Sequence, residues 1–445
     1  QRGWIESLGA GTQSFDRNTS LISANFELTQ AGSNHVPEIM GLFFAHIDKL
    51  KSVEPEAWRY TEQAKVAELA FQFQERGSTV GFVYQMAPRL NEYPPEDLLA
   101  APYLMEGFKP DLIKDLLARM TPENVLVELA MPDFQSPTVE PWFAVPFALT
   151  QGPVPVAMPD NPPLNLPAAN PFLPENLSLL EPDDAPIDLA VDQPGLQLWL
   201  DTDVSFTTPR ANIAIELAVP GGLISLRDAS VARLFTRLVN DELTQSTYPA
   251  LLAGLGYNLS RTASGFAINI SGYNDKQADF LAFVIDQLLT APLAESRFDS
   301  IKQSLIRDLE NAAKDKPYNQ TLTALNDTLL GTSWPAQAQA TLLADLTLDE
   351  LSSWRSEQFK RLSVRGGLHG NVALDDAEAL ADLLITLLPL DRVAHTRPAV
   401  KQLTQSMDID LAVDHNDAAL LLYVQDPDDS FASRAKSALA GQLLR

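Results

Sequence analysis

The sequence contains no cysteine. Disulfide bonds, thiolate nucleophiles and cysteine-based zinc sites are therefore excluded. The absence of cysteine favours an oxidising compartment only weakly, because cysteine-free chains are tolerated in any compartment. Histidine is also scarce, since there are five and no two of them stand within five residues of each other. The close pair of histidines found in many metal sites is therefore missing.

The sequence also lacks a long apolar run and has few basic residues. No uncharged apolar stretch approaches the roughly 20 residues that a membrane-spanning helix needs. The 32 Lys and Arg residues stand against 58 Asp and Glu residues, a formal net charge of −26. Such an acidic surface repels phosphate groups, so we expect neither nucleic acid nor a membrane as a partner.

Length and proline content indicate several folded parts. A chain of 445 residues corresponds to roughly three domains of about 150 residues each. It opens with "QRGW", without Met, and we interpret it as a piece of a longer polypeptide. Residues 151–194 hold 11 of the 32 prolines. Because proline removes a backbone donor and fixes φ, this segment is predicted to be an extended, semi-rigid linker.

One pattern of elements occurs twice along the chain. A glycine followed by an aromatic residue, then a strand, an apolar helix and a second helix, begins at Gly3-Trp4 and again at Gly256-Tyr257. Helices that follow paired strands on one side indicate an α+β fold, in which each domain is an antiparallel sheet with helices packed on one face.

Polar residues before the two apolar helices are predicted to cap them. Asn34 is placed to cap the first helix, and Asn274 or Asp275 is placed to cap the second. Apolar and β-branched residues predict further strands at 123–130, 406–413 and 418–426.

Several stretches of the chain resemble the insulinase (pitrilysin-type) zinc metallopeptidases. They occur in the family's order: "RGWIESLGAG", "FELTQAGSNHV", "YPPEDLLAAPYLMEGFKPDLIKDLLARMTPENV", "EPWFAVPF", "NPFLPENLSL", "SFTTPRANIAIELAVP", "GYNDKQ" and "LHGNV". The resemblance implies four related α+β domains in one polypeptide, arranged as two halves that close like a clam shell around a proteolytic chamber.

The resemblance also implies a domain assignment. Residues 1–150 correspond to the second repeat domain, lacking its N-terminal part, and 151–195 to the proline-rich linker between the halves. Residues 196–404 correspond to a complete third repeat domain, and 405–445 to the start of the fourth. A homodimer in which the two partial domains complement each other is a further expectation, and partial domains that pack loosely and are partly disordered are the alternative.

The family's catalytic signature, H-x-x-E-H followed by a downstream Glu, is absent from this sequence. In the family the two His and the downstream Glu bind zinc, and the Glu within the motif activates water. "HVPE" at His35 is half of that pattern, and a histidine at a helix start is the better interpretation. The family's last domain also supplies an Arg and a Tyr, but Arg445 is not matched to that Arg. Zinc is therefore expected in the parent protein, with no metal ligand, cofactor or catalytic residue in this chain.

One functional site of the family corresponds to the stretch "SLGAGT". There a strand acts as an exosite, to which the N-terminal end of a peptide substrate adds as a further strand. The correspondence by position selects Leu8, Gly9, Ala10, Gly11 and Thr12. Small residues allow a foreign backbone to approach, and an edge offers free N–H and C=O groups. A glycine-rich bend in an ordinary strand is the alternative.

The acidic runs "PDDAP" and "DPDDS" contain clustered carboxylates, a type of group that binds calcium. They lack the spaced oxygen ligands and following Glu of an EF-hand loop, so solvated acidic turns are expected.

Two functional hypotheses follow from the resemblance. In the first, the chain is the non-catalytic central portion, chamber wall and exosite, of a bacterial, periplasmic zinc metalloendopeptidase that degrades peptides. Its partners would be peptide substrates and other domains of the same polypeptide. In the second, the parent is a catalytically inactive homologue that acts as a scaffold or peptide-binding subunit. A processing peptidase for one small precursor is a third interpretation.

Overall fold

A computed structural model describes the chain except for residues 1, 17, 75–76, 133, 161, 182–186, 429 and 444–445. The chain divides into two compact units, Gln1–Asn170 and Pro171–Arg445. The division falls within the proline-rich segment, while the finer domain boundaries proposed from the sequence remain predictions. No helix in the described ranges combines the length and the apolar character needed to cross a membrane.

The first unit contains a two-stranded sheet and four α-helices. The elements are β1 (Ile5–Ser14), β2 (Ser20–Leu28), α1 (Val36–Lys51), α2 (Ala57–Gln72), α3 (Thr79–Arg89) and α4 (Pro110–Arg119). β1 and β2 are antiparallel neighbours.

The core of the first unit is small. Among the described residues, its buried large apolar side chains are Ile39, Phe44 and Ile47 of α1 together with Leu69 and Phe73 at the end of α2. Many other apolar side chains of this unit are exposed. Burial of apolar surface is the dominant favourable contribution to folding, so this unit gains little stability from its own core.

The second unit contains a six-stranded sheet and nine α-helices in the part of the chain that the structure describes. The strands are β3 (Asp188–Gln193), β4 (Leu196–Thr202), β5 (Arg210–Ala218), β6 (Gly256–Arg261), β7 (Gly265–Tyr273) and β8 (Ser363–Gly370). The helices are α5 (Leu226–Ser246), α6 (Tyr248–Leu252), α7 (Gln277–Thr290), α8 (Glu295–Asn311), α9 (Pro317–Leu329), α10 (Ala336–Ala344), α11 (Leu348–Gln358), α12 (Leu374–Leu387) and α13 (Phe431–Leu443).

The strands of the second unit lie in the order β3-β4-β8-β5-β7-β6. Neighbouring strands are antiparallel except β4 and β8, which are parallel. Side chains alternate along the strands: Ile213, Ile215 and Leu217 of β5 are buried, whereas Asn212 and Ala214 are exposed. Such alternation is expected for a sheet with one covered face.

Helices cover that buried face in two layers. α5, α7 and α12 contact the strands, and α8 and α10 pack on α5. The α+β fold class, with helices on one face of the sheet, is thereby confirmed. The repeat is also visible, because the β1–β2 and β6–β7 hairpins are each followed by a short 3-10 turn and two helices.

An aromatic cluster joins the sheet to the helices of the second unit. The fully buried ring of Phe235 on α5 lies 5.8 Å from the rings of Phe266 and Trp354 and 5.9 Å from that of Phe359. Phe266 and Phe359 stack with their ring centres 5.4 Å apart. These contacts tie α5, β7 and the end of α11 together.

The proline-rich segment is held by backbone and side-chain hydrogen bonds, and each unit holds its own part of the segment. In the first unit, the Ala157 amide donates to the Pro37 carbonyl (2.9 Å), and Arg59 Nη1 donates to the Pro167 carbonyl (2.7 Å). A Cβ on Gly41 would lie 1.8 Å from the Ala157 carbonyl oxygen. Extended proline-rich chain has no internal hydrogen bonds, so these contacts fix its path.

In the second unit, residues 172–180 run along the start of α7 and the end of β8. Asp275 Oδ2 accepts the amides of Glu175 (2.8 Å) and Asn176 (3.3 Å). Asn371 accepts the Leu180 amide (2.9 Å) and donates to the Ser178 carbonyl (2.9 Å). The semi-rigid character expected of this segment thus has a structural basis in side-chain hydrogen bonds.

Two predicted helix caps, and the strands predicted in three segments, are wrong. α1 begins after His35 with no side-chain cap, since Asn34 belongs to the preceding 3-10 turn and donates to the Gln30 carbonyl. α7 begins after Lys276 without a side-chain cap, because Asp275 binds the proline-rich segment.

The strands predicted at 123–130, 406–413 and 418–426 are not formed in the described structure. A strand requires a partner to pair its backbone groups. None of the described strands pairs with these segments, so they are irregular.

We expect Phe235→Ala to destabilise the second unit by about 3–5 kcal/mol, because it deletes a fully buried ring and leaves a cavity. Urea unfolding monitored by tryptophan fluorescence measures this, since Trp354 lies against the ring. Phe206→Ala is the control, because Phe206 is 78% exposed and should change stability by less than about 0.5 kcal/mol. Identical unfolding midpoints for the two variants would show that the aromatic cluster does not stabilise the unit.

Candidate functional site

All five residues selected from the sequence lie consecutively in β1. Leu8 to Thr12 pair in continuous register with residues 26 to 22 of β2, and all five are exposed. The only register shift in this ladder lies between Ile5 and Ser7. The glycines therefore do not bend or interrupt the strand, and among the described residues no strand pairs with the other edge of β1.

The hydrogen-bond pattern shows which side of β1 each residue presents. The Phe15 amide donates to the Thr19 carbonyl (3.0 Å) at the hairpin turn, so these two residues form a hydrogen-bonded pair. In an antiparallel ladder hydrogen-bonded and non-hydrogen-bonded pairs alternate. Counting back from Phe15 in steps of two reaches Gly11 and Gly9. Their backbone N–H and C=O groups are therefore the ones that bond with β2.

The three remaining residues present their backbone to the open edge. By the same alternation, the N–H and C=O groups of Leu8, Ala10 and Thr12 are directed away from β2. A peptide that adds to this edge would therefore exchange hydrogen bonds with these three residues. Nothing lies within 4 Å of where a Cβ would stand on Gly9 or Gly11, so the face of the strand on which these two residues lie is open.

The base of the hairpin is fixed to α1 by aromatic packing and a close backbone approach. Trp4 stacks on His35 with ring centres 4.2 Å apart, and Phe26 of β2 contacts Phe43 of α1 edge-on at 6.1 Å. A Cβ on Gly32 would lie 1.9 Å from the Trp4 carbonyl oxygen. The open edge of β1 is thus presented by an anchored hairpin.

His35 has a structural role in this arrangement. Besides stacking on Trp4, its Nδ1 lies 3.1 Å from Oε1 of Glu38. The hydrogen bond from His35 is the main reason why the pKa of Glu38 lies below its usual value. His35 and Glu38 of "HVPE" therefore stabilise the start of α1, and His35 also packs against the base of the hairpin.

Across the described residues, no group of three or more His, Asp or Glu side chains is arranged to hold a metal ion. His369 and His395 each contact a carboxylate, of Asp201 (2.9 Å) and Glu216 (2.8 Å) respectively. Of the two acidic runs, "PDDAP" lies outside the described residues. In the other, Asp426 accepts the hydroxyl of Ser433 in the first turn of α13, as expected for an acidic turn rather than a metal site.

The uncovered face of the six-stranded sheet is a second candidate surface, which the sequence reasoning did not identify. Its residues form three rows across β4, β8, β5, β7 and β6. The rows are Gln197-Arg365-Glu216-Ala267-Ser260, Trp199-Gly367-Ala214-Asn269-Asn258 and Asp201-His369-Asn212-Ser271-Gly256. The alternation in "LQLWLDT" and "ANIAIELA" was the signal that could have indicated it.

Polar groups dominate this sheet face and are paired with one another. Arg365 Nε donates to Gln197 Oε1 (3.1 Å), and the buried His395 lies against Glu216. Burial raises the pKa of the Glu216 carboxyl, but hydrogen bonds from His395 and two hydroxyls outweigh this, so the pKa lies below its usual value. The face can therefore offer both donors and acceptors to a polar ligand.

The chain is similar to known proteins in sequence and in fold. Residues 71–341 match the family model described as the middle or third domain of peptidase M16. The chain is 30% identical over 431 residues to the insulin-degrading enzyme of Homo sapiens, which covers 92% of this chain and 41% of that protein. It is 26% identical over 398 residues to the A-factor-processing enzyme of Saccharomyces cerevisiae, covering 87% and 39% respectively.

A solved structure has the same fold. Pitrilysin superposes with a TM-score of 0.68 at 18% sequence identity, over 86% of this chain and 42% of that one. The chain thus spans about two fifths of the length of these relatives. The family model matches more than half of the residues of this chain. The chain therefore belongs to the peptidase M16 family, the insulinase family of peptidases.

Proposed function

We propose that the chain is the non-catalytic central portion of a bacterial zinc metalloendopeptidase, and that it forms part of the wall of a peptide-degrading chamber. In this proposal β1 is the exosite that holds the N-terminal end of a peptide substrate. The parent protein would act in the periplasm. Membership of a peptidase family and the likeness to pitrilysin in fold support the chamber role.

The observation that carries the exosite is the open edge of β1. Leu8, Ala10 and Thr12 direct backbone donors and acceptors away from β2, and the neighbouring glycines add no side chain. Main-chain hydrogen bonds of this kind provide affinity with little demand on the peptide's sequence. This suits a chamber that accepts many peptides.

The zinc and the residues that activate water would come from another part of the parent polypeptide. A catalytic zinc site needs three protein ligands close together. The described residues do not fit this requirement, because no three His, Asp or Glu side chains among them are arranged to hold a metal ion. His369 lies between Asp201 and Asp203, His395 lies against Glu216, and His35 is stacked on Trp4. This chain's own contribution would be to bind and orient the peptide.

Exposed apolar segments support the proposal that further domains pack on this chain. In the first unit Leu126, Trp142 and Phe143 are 85–87% exposed, and near the C-terminal end Leu420 and Leu422 are 96% and 86% exposed. Exposed apolar patches of soluble proteins commonly mark interaction surfaces. Other domains of the same polypeptide are the proposed partners. Light scattering of the isolated chain would reveal a homodimer, which is the alternative way to cover these segments.

A catalytically inactive homologue, acting as a scaffold or peptide-binding subunit, is the alternative function. It would bind peptides through β1 in the same way, so it differs only in whether the parent carries H-x-x-E-H. A peptidase dedicated to one small precursor is a third possibility. Profiling the substrates of the parent protein would separate it from a general peptide-degrading enzyme.

We expect Ala10→Pro to weaken peptide binding by roughly tenfold or more, because it removes an N–H group from the open edge and sterically opposes a neighbouring strand. Fluorescence anisotropy of a labelled, uncharged ten-residue peptide measures the affinity. The change spares the bonds between β1 and β2, since the Ala10 amide is directed away from β2.

Ala24→Pro is the matched control. Ala24 pairs with Ala10 across the hairpin, so its amide faces the opposite edge, that of β2. We expect this variant to bind peptide like the unaltered chain. Equal binding by the Ala10→Pro variant and the unaltered chain would contradict the exosite, and a loss confined to the Ala24→Pro variant would assign binding to β2.

We also expect the isolated chain, supplied with zinc, to leave a fluorogenic peptide uncleaved. The reason is that the described residues provide no zinc ligand set. Chelator-sensitive cleavage by the pure chain would contradict the assignment of catalysis to another part of the parent.

A further inference from the structure

A cavity of about 410 Å³ lies within the second unit. It is bounded by α5, the end of β6 and the connection from α9 to α10. Its polar lining includes Arg233, Arg261, Asn326, Thr332 and Gln339. Its volume lies in the range of pockets that hold small molecules.

The two arginines have few partners for their charge. Arg233 Nη1 donates to Gln339 Oε1 at 3.5 Å, and Arg261 Nη1 donates to the Leu223 carbonyl at 3.3 Å. Both side chains are partly buried, and neither forms an ion pair with a carboxylate in the described part of the chain. Each guanidinium carries five N–H donors, so most donors of both groups have no acceptor among the residues that the structure describes.

The acidic groups near the cavity are already engaged. Asp308 accepts from Arg237, one turn further along α5, at 2.7 Å. Asp327 accepts the hydroxyl of Ser333, which itself lines the cavity, at 2.5 Å. Buried charges in proteins are normally paired. Two unpaired guanidiniums beside one cavity, in a chain with a net charge of −26, are therefore unusual.

We propose that this cavity is a binding site for a small molecule that carries two oxyanion groups, either phosphates or carboxylates. Arg233 and Arg261 would each receive one group, because a guanidinium pairs with a carboxylate or phosphate through two parallel hydrogen bonds. Asn326 and Thr332 would supply further polar contacts from the opposite wall. The binding site is independent of the peptide edge of β1.

The electrostatics of the two groups agree with this assignment. Burial lowers the pKa of Arg233, and the neighbouring charges of Arg237 and Arg261 lower it further, while the Asp308 carboxylate partly opposes this. Burial also lowers the pKa of Arg261. Each guanidinium remains charged at neutral pH because an arginine pKa starts so high. An anion between the two guanidiniums would offset the free-energy cost of burying their charges and would also offset their mutual repulsion.

Trp334 provides a reporter for the cavity. It lines the wall, and its Nε1 donates to the Ile224 carbonyl (3.1 Å), which holds the ring in place. A ligand that enters should change its fluorescence. Trp334→Phe identifies which part of the signal of the six tryptophans comes from this position.

The test is a titration of the full chain with pyrophosphate, inorganic phosphate and citrate, followed by calorimetry and fluorescence at low salt. Binding of pyrophosphate but not citrate would assign a phosphate ligand, and the reverse would assign a carboxylate ligand. We expect Arg233→Gln and Arg261→Gln each to weaken binding by roughly tenfold or more, since a charged bidentate contact is lost. Binding should also weaken as salt is added.

Arg227→Gln is the matched control, because Arg227 stands on the same helix but is paired with Glu350 outside the cavity lining. It should bind the anion as the unaltered chain does. Thermal unfolding of each variant without ligand shows whether it is folded. Absence of binding by all three anions would overturn the proposal, and so would equal weakening by Arg227→Gln and the two cavity variants.

Discussion

The insertion of β8 between β4 and β5 is the constraint on which the second unit depends. β4 and β5 are close in sequence, but β8 comes more than 140 residues after β5 and separates them in the sheet. Glycine makes this possible. A Cβ on Gly366 would lie 2.7 Å from the Ala214 carbonyl oxygen, and Gly370 has a φ of +114°, which side chains rarely adopt. Without β8 the covered face would be split, and α5 and α12 would lose the continuous apolar surface on which they pack.

The same strand connects the proline-rich segment to the sheet. Asn371, directly after β8, is almost fully buried and accepts the amide of Leu180 while its own amide donates to Ser178. Its backbone carbonyl accepts from the Asn274 side chain (2.9 Å). Buried polar groups are costly unless they are hydrogen-bonded, so this asparagine can sit in the interior only while residues 178–180 lie against it. The path of the segment and the end of the sheet therefore determine each other.

Much of the second unit could be predicted from the sequence, because its signals are local. Alternating residues in β5 and β7 and the helical spacing of apolar residues in α7 give the elements directly. The predicted cap of α7 is wrong for a long-range reason, since Asn274 and Asp275 bind segments about 100 residues away. The predicted cap of α1 is wrong for a local reason, since Asn34 belongs to a 3-10 turn. Likewise, "ENVLVELA" reads as a strand by composition, but pairing decides whether a strand forms. The place of β1 in a ladder could be predicted, whereas its open side follows only from the hydrogen bond at Phe15.

The two proposed sites suit an acidic protein in different ways. The edge of β1 binds through backbone groups, so its affinity owes little to charge and the acidic surface does not weaken it for neutral or basic peptides. The arginine cavity is a local exception to the negative field. Charges further away than about 8–10 Å are largely screened at physiological salt, so a small anion that reaches the cavity interacts mainly with Arg233 and Arg261. A long polyanion would extend beyond the cavity and meet the acidic surface, which favours a small ligand over nucleic acid at this site.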